Sequence, residues 1–199
     1  APRPAPLPAV VIPPASPSVL LSSITAGDLL KKEIPATKWA FDGLLPEGLT
    51  ILAGAPKLGK SWMALDWALS VALGTKAMGE FDGTPGTAVV LALEDSEGRL
   101  QGRLQALLNA AGLPPNHPGI NKLILTTIAP RSGTGDFDLG QLRQFIDQAG
   151  DVRLLVVDTL GRVSPAAKKT ENGYDHQLRA LAPLQRLGHR AVGTDFVFL

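Results

Sequence analysis

The chain has 199 residues, of which 45% are hydrophobic, so it can build the core of a folded domain and is not disordered throughout. It has no cysteine, which excludes a disulfide scaffold and thiolate chemistry, and its three histidines are too widely spaced to suggest a metal cluster. The net charge of +1 means that any contact with nucleic acid would have to use a local basic patch.

Proline dominates the start of the chain, where seven of the first 18 residues are proline. Because each proline fixes one backbone dihedral and removes a hydrogen-bond donor, we expect residues 1–21 to form a disordered tail or, alternatively, a linker to an upstream domain. The folded domain is expected over residues 22–199. The sequence shows neither a signal-peptide pattern nor the roughly 18-residue apolar run of a membrane span, so we expect a cytoplasmic protein without membrane contact.

From residue 25 onward, apolar periodicity and glycine or proline punctuation predict strands that alternate with helices. In chain order the predicted elements are a helix over 25–32, a strand over 49–53, a helix over 61–73, a strand over 87–93, a helix over 99–111, a strand over 122–127, a helix over 139–149, a strand over 153–157, a helix over 174–187 that Pro183 kinks or shortens, and a strand over 191–199. The strands are apolar on both faces, which is typical of a parallel sheet buried between helices. The sequence therefore predicts an α/β fold with a mainly parallel sheet and helices on both faces.

The segment between the first predicted strand and the helix after it matches the pattern G-x-x-x-x-G-K-[ST]; it reads Gly54-Ala55-Pro56-Lys57-Leu58-Gly59-Lys60-Ser61. Glycines at these positions let backbone N–H groups converge on a phosphate, and the start of the following helix adds partial positive charge. Lys60 would place a full charge against the phosphates, and the Ser61 hydroxyl could ligate Mg²⁺. A glycine-rich turn with a surface lysine is the alternative, but the predicted strand and helix on either side favour a phosphate site.

One acidic residue, Asp158, directly follows the strand predicted over 153–157. In enzymes with this kind of loop, an acidic residue at the end of a buried strand helps to hold Mg²⁺. Because aspartate also caps loops at strand ends, Asp158 by itself is weak evidence. Together with the phosphate loop it is a predicted magnesium ligand.

Two acidic residues, Glu94 and Asp95, follow the strand predicted over 87–93. If this strand lies beside the loop strand, Glu94 could orient and deprotonate an attacking water, with Asp95 supporting the water or capping the next helix. The alternative is that both acids only cap that helix, since carboxylates favour helix N-termini. Arg99 and Arg103 follow on one helical face, where they could contact phosphate, pair with acids or remain solvated.

Three tryptophans are interpreted mainly as core residues. Trp62 and Trp67 lie on the helix after the loop and are expected to be buried. Trp39 precedes the loop, where packing is the favoured interpretation and stacking near a bound base is the alternative.

Three stretches carry a resemblance to a known family; they read WAFDGLLPEGLTILAGAPKLGKSWMALDWALSVALG, VVLALEDSEGRLQGRL and LLVVDTLGRVSP. Together they resemble the RecA-like AAA-type P-loop ATPases related to the RepA hexameric replicative helicase, over roughly residues 26–187. The phosphate loop is shared by many nucleotide-hydrolysing proteins. The lead-in L-L-P-x-G-L-T and the acidic pair with Arg103 nine residues after Glu94 are more discriminating.

The resemblance implies a RecA-like ATPase site. Lys60 and Ser61 would bind the phosphates of ATP and Mg²⁺. Glu94 would be the catalytic glutamate, and Asp158 would be the second Walker acid. Arg103 would correspond to an arginine that helps to organise the site.

The resemblance also implies partners. The domain would work as a homo-oligomeric ring, a hexamer, with a primase or another replication protein as a further partner. The loop over 161–173 would face the pore and meet single-stranded DNA through Arg162, Lys168 and Lys169, because backbone phosphates need such basic residues. A solvated surface loop is the alternative.

The expected function is Mg²⁺-dependent ATP hydrolysis by a helicase-like motor domain that acts on DNA in the replication of a plasmid, phage or mobile element. Two alternatives stay open: a non-hydrolysing nucleotide-binding module that regulates or docks a partner, and a small-molecule kinase that uses the same loop. The family's later strand with a histidine-containing sensor has no match here, because His189 is not at that position. The C-terminal strands are therefore expected to be incomplete.

Overall fold

The computed structural model describes residues 23–133, 136–166 and 172–190, and the chain divides into two units, residues 1–36 and 37–199. The first unit contains helix α1 (Ala26–Lys31), which begins where Thr25 Oγ1 accepts a hydrogen bond from the Asp28 amide at 3.1 Å. This confirms the first predicted helix and its threonine cap. The tail expected over residues 1–21, and the boundary after it, lie outside the described residues.

A short antiparallel hairpin begins the second unit. It is formed by β1 (Trp39–Phe41) and β2 (Leu45–Pro46), and it buries Phe41 and Leu45. The sequence predicts no strand here, because strands of three and two residues are too short to show a period.

The rest of the second unit alternates helices and strands. In chain order these elements are α2 (Lys60–Leu73), β3 (Thr87–Ala92), α3 (Glu97–Ala110), a 3₁₀ turn (Pro118–Lys122), β4 (Leu123–Thr126), α4 (Leu139–Ala149), β5 (Val152–Asp158), α5 (Leu160–Val163) and α6 (Gly173–Arg190). Helix α6 continues through Pro183. None of the helices in the described ranges is long and apolar enough to cross a bilayer.

Strands β3, β4 and β5 form a parallel sheet in the order β4-β3-β5. The register places Ala88 beside Leu123 on one side, and Ala92 beside Asp158 on the other. The central strand β3 is buried along almost its whole length, as a strand covered on both faces must be. The predicted parallel arrangement is therefore confirmed.

Helices cover both faces of this sheet. On one face, Ala68 and Val71 of α2 pack with Val90 and Leu154, and Leu100 of α3 joins the same cluster. On the opposite face the buried cluster combines strand residues with residues of α4, α5 and α6; these are Val89, Leu91, Leu155, Val157, Leu142, Ile146, Val163, Leu184 and Leu187. The predicted α/β class, with a layer of helices on each side, is confirmed.

The strand predicted over 49–53 is wrong. This segment has no regular secondary structure, and the Ile51 side chain is 53% exposed, although Leu49 packs at the edge of the core. A five-residue apolar run fits a buried strand, but a strand also needs a neighbour, and the described residues supply no ladder partner for this one. The strand predicted over 191–199 lies outside the described residues.

Gly119 in the 3₁₀ turn provides a test of this packing. A Cβ atom there would lie 2.6 Å from the Ala72 carbonyl oxygen and 3.0 Å from Leu73 Cα, which are backbone atoms that cannot rotate away. We expect Gly119→Ala to lower the free energy of unfolding by about 1–3 kcal/mol in urea denaturation. The control is Gly102→Ala in exposed α3, where a Cβ meets nothing within 4 Å, and it should leave stability unchanged or raise it by about 1 kcal/mol. Equal stability of the two variants would contradict the packing at α2.

Candidate functional site

The loop over 54–61 turns sharply into α2. Lys57 has φ +65° and Gly59, at the N-cap, has φ +88°; both angles are left-handed. Glycine adopts this conformation without strain, so Gly59 lets the backbone close the loop directly onto the first turn of the helix. The free N–H groups of that turn are consequently left for an anion, as the loop pattern predicts.

Lys60 folds back over the loop. Its Nζ donates hydrogen bonds to the carbonyl oxygens of Gly54 and Ala55, at 2.8 and 2.9 Å. These two contacts, which are exposed to solvent, hold the ammonium group against the start of the loop. A phosphate seated on the loop would therefore meet a full positive charge as well as the helix terminus.

A cavity of about 420 Å³ opens at the loop, which is within the range of small-molecule sites. It is lined by loop residues, the first turn of α2 and one residue of α3: Lys57, Gly59, Lys60, Ser61, Trp62 and Arg103. Ser61 and Arg103 thus share a cavity, as the sequence predicts for one site. Glu94 and Asp158 do not line it.

Asp95 connects α3 to this cavity. Its side chain is only 8% exposed and accepts a hydrogen bond from Arg99 Nε and another from Arg103 Nη1, each at 2.5 Å. The Ser96 amide donates a third, at 3.1 Å. Of the open alternatives for the two arginines, pairing with an acid is the one observed. Arg99 and Arg103 lie four positions apart on one side of α3, as the sequence predicts, and both reach back to Asp95, which precedes the helix.

The charge of Asp95 is favoured by this surrounding. Burial by itself would raise its pKa, but the hydrogen bond from Arg99, the one from the Ser96 amide and the positive charges of Arg103 and Arg99 outweigh burial. The net effect is a pKa below the ordinary value. Asp95 is therefore ionised at neutral pH and holds both arginines.

Arg103 also lies over an aromatic ring. Its Cζ is 5.6 Å from the ring centroid of Trp62, which is within the range of a cation–π contact. The Trp62 side chain is 40% exposed, so the prediction that it is buried is wrong, whereas Trp67 is 4% exposed and its predicted burial is confirmed. Position 62 faces the cavity because α2 turns by about 100° per residue, which places only some of its apolar positions on the sheet.

Glu94 and Asp158 lie at the carboxyl ends of two paired strands, β3 and β5. Asp158 ends β5 opposite Ala92, and the Leu93 amide donates to the Asp158 carbonyl oxygen at 2.7 Å. Glu94 follows two residues after β3, so the pairing brings both acids to the carboxyl edge of the sheet. Parallel α/β sheets bind ligands at this edge.

Glu94 has a basic partner. Arg162 Nε of α5 lies 3.5 Å from Glu94 Oε1, and both side chains are more than half exposed. The residue expected to meet nucleic acid is thus next to the residue expected to activate water. Lys168 and Lys169, the other two basic residues of that expected DNA contact, lie outside the described residues.

Ser61 and Asp158 supply oxygen donors of the kind that Mg²⁺ prefers. Within the described ranges, no group of three or more histidine, cysteine, aspartate or glutamate side chains could hold a metal ion by itself. Mg²⁺ commonly takes only one or two ligands from protein and the others from phosphate and water, so these two oxygen donors are of a kind that fits it.

One comparison with known proteins identifies a family. A family model described as an AAA domain matches residues 14–198, which is most of the chain. No curated protein matches the chain.

The two ion pairs of Asp95, whose own side chain is largely shielded from solvent, lead to a stability prediction. At pH 7 we expect Asp95→Asn to lower the free energy of unfolding by about 1–3 kcal/mol, because two charged hydrogen bonds are lost. Asp147→Asn removes the exposed pair with Arg143 and should change it by less than about 0.5 kcal/mol. Denaturation curves of both variants check this.

The ion pairs of Asp95 also predict how the stability of the protein depends on pH. Because the folded-state pKa of Asp95 is lowered, its stabilising contribution is complete above about pH 4 and is lost as the pH falls through that lowered value. The stability difference between the native chain and Asp95→Asn should therefore shrink below about pH 4. A difference that stays constant down to pH 2 would contradict the assigned ion pairs.

Proposed function

The chain belongs to the AAA domain family, and we propose that it is a Mg²⁺-dependent ATPase of the RecA-like class whose hydrolysis drives movement on DNA. The observation that carries the proposal is the phosphate loop: Lys60 is held over it, and its cavity opens at the start of α2. Nucleotide-dependent ATPase activity is what the family suggests. Action on DNA goes beyond what the family suggests, and its support is the position of Arg162 beside Glu94.

Phosphate binding follows from the loop. The N–H groups at the start of α2 and the Lys60 ammonium would neutralise the phosphates, while Ser61 and Asp158 would hold Mg²⁺. When bound, Mg²⁺ would offset the charge on the phosphate oxygens. Arg103 lines the same cavity and is fixed by Asp95, which supports a role in organising the bound nucleotide.

Water activation is proposed for Glu94. A carboxylate that follows β3 at the ligand-binding edge of the sheet can accept a proton from a water molecule placed in line with the terminal phosphate. Arg162 Nε, 3.5 Å from Glu94 Oε1, is a neighbour that can hold the carboxylate in place at this edge.

Coupling to DNA is proposed through the segment after β5. Arg162, Lys168 and Lys169 would contact the phosphates of single-stranded DNA, and the Arg162–Glu94 contact would link DNA binding to hydrolysis. We also propose that the domain works as a homo-oligomeric ring, a hexamer, together with a primase or another replication protein.

The first test is ATP turnover with and without single-stranded DNA. We expect DNA to stimulate turnover and Lys60→Ala to abolish it, because the loop loses its charge. The control is Lys122→Ala, at the opposite edge of the sheet just before β4, which should keep the native rate. Lys60-dependent ATP binding without turnover would support a nucleotide-binding module instead. Phosphate transfer to a small acceptor would support a kinase, and turnover that survives Lys60→Ala would remove the proposed site.

The second test concerns the proposed base. Glu94→Gln keeps the size of the side chain but cannot accept a proton, so we expect ATP binding to persist and turnover to fall by about 10²–10⁴-fold. Glu80→Gln changes an exposed glutamate in the turn after α2 and should leave turnover unchanged. Normal turnover by the Glu94 variant would remove Glu94 as the base.

A further inference from the structure

Trp62 occupies a position in the cavity that the loop pattern does not specify. It directly follows Ser61, lines the cavity together with the loop and leaves 40% of its surface exposed. Neither buried cluster of the described residues includes it, although Trp67, five positions later, belongs to one of them. Packing therefore does not account for a large apolar ring at this place.

The lining of the cavity combines two kinds of side chain. Lys57, Lys60 and Ser61 present ammonium and hydroxyl groups, which suit phosphates. Trp62 and Arg103 present an indole and a guanidinium plane, which suit the flat face of a base. A nucleotide has these same two parts, joined by a ribose.

The indole is held in place from one side. Arg103 lies over the ring at 5.6 Å and is fixed by the Asp95 carboxylate, which is itself 8% exposed. The three side chains thus form a chain of contacts from the interior at Asp95 to the cavity at Trp62. A ring held in this way loses little conformational freedom when a ligand stacks on it, which favours binding.

We propose that Trp62 binds the nucleobase by stacking and that Asp95 and Arg103 are positioning residues that orient its ring. This rests on the proposed function, because it presumes phosphates on the loop. Stacking depends on the π-face of the base, which tripolyphosphate lacks.

The test compares two ligands that share the phosphates and differ in the base: ATP and inorganic tripolyphosphate, measured by calorimetry on the full chain. We expect Trp62→Ala to weaken ATP binding about tenfold and to leave tripolyphosphate binding unchanged. Trp62→Phe keeps an aromatic face and should retain most of the ATP affinity. The control is Phe145→Ala on α4, which removes an aromatic ring of similar exposure (38%) from the other face of the sheet and should change neither affinity.

Two measurements distinguish a positioning role of Asp95 from a role in the stability of the fold alone. Asp95→Asn should weaken ATP but not tripolyphosphate, whereas loss of fold would weaken both. ATP should also change the tryptophan fluorescence of the native chain, and this change should be absent in Trp62→Phe.

The outcomes separate the two proposals. If Lys60→Ala binds both ligands as well as the native chain, the proposed phosphate site is wrong. If Lys60→Ala loses both ligands while Trp62→Ala binds ATP normally, or loses both ligands equally, the phosphate site stands and the base-stacking role of Trp62 is overturned.

Discussion

Parallel pairing of β3 with β5 is the constraint on which the rest of this structure depends. It sets Ala92 beside Asp158 and directs the chain that leaves both strands to the same edge of the sheet. Because β3 is buried on both faces, a one-residue shift in register would exchange the side chains that each helical layer packs against and disrupt both clusters. The core therefore fixes where Glu94 and Asp158 are placed, although neither acid is part of it.

Asp95 makes the second essential connection, between the segment after β3 and the two arginines of α3. A buried carboxylate is costly unless it is paired, and this one is paired with two arginines and a backbone amide. Arg103 extends that network to Trp62 at the cavity. The two acids after β3 thus differ in their surroundings: Glu94 is exposed at the edge of the sheet, where we propose that it activates water, and Asp95 is shielded and holds Arg99 and Arg103.

Much of the fold and of the candidate site could be predicted from particular residues. The pattern from Gly54 to Ser61 needs only local spacing, so its loop and the helix after it follow directly from the sequence. The strands β3 and β5 were visible because both are long and apolar without alternation. The segment 49–53 has a similar composition but is not a strand, since strand formation also requires a neighbour that no local pattern reveals. Trp62 and Trp67 look alike in the sequence and differ in exposure because α2 turns them to different sides.

The sequence by itself determined the loop, the alternation of strands with helices and the acidic residues that follow β3 and β5, because each of these depends on neighbours within a few positions. Only the tertiary structure decided that Arg103 pairs with Asp95 and lies over Trp62, that Arg162 lies beside Glu94, and that an aromatic side chain lines the cavity. These contacts join α2, α3 and α5 with the segment that follows β3. Their geometry follows from how the helices pack on the sheet, and a single sequence does not encode that packing locally.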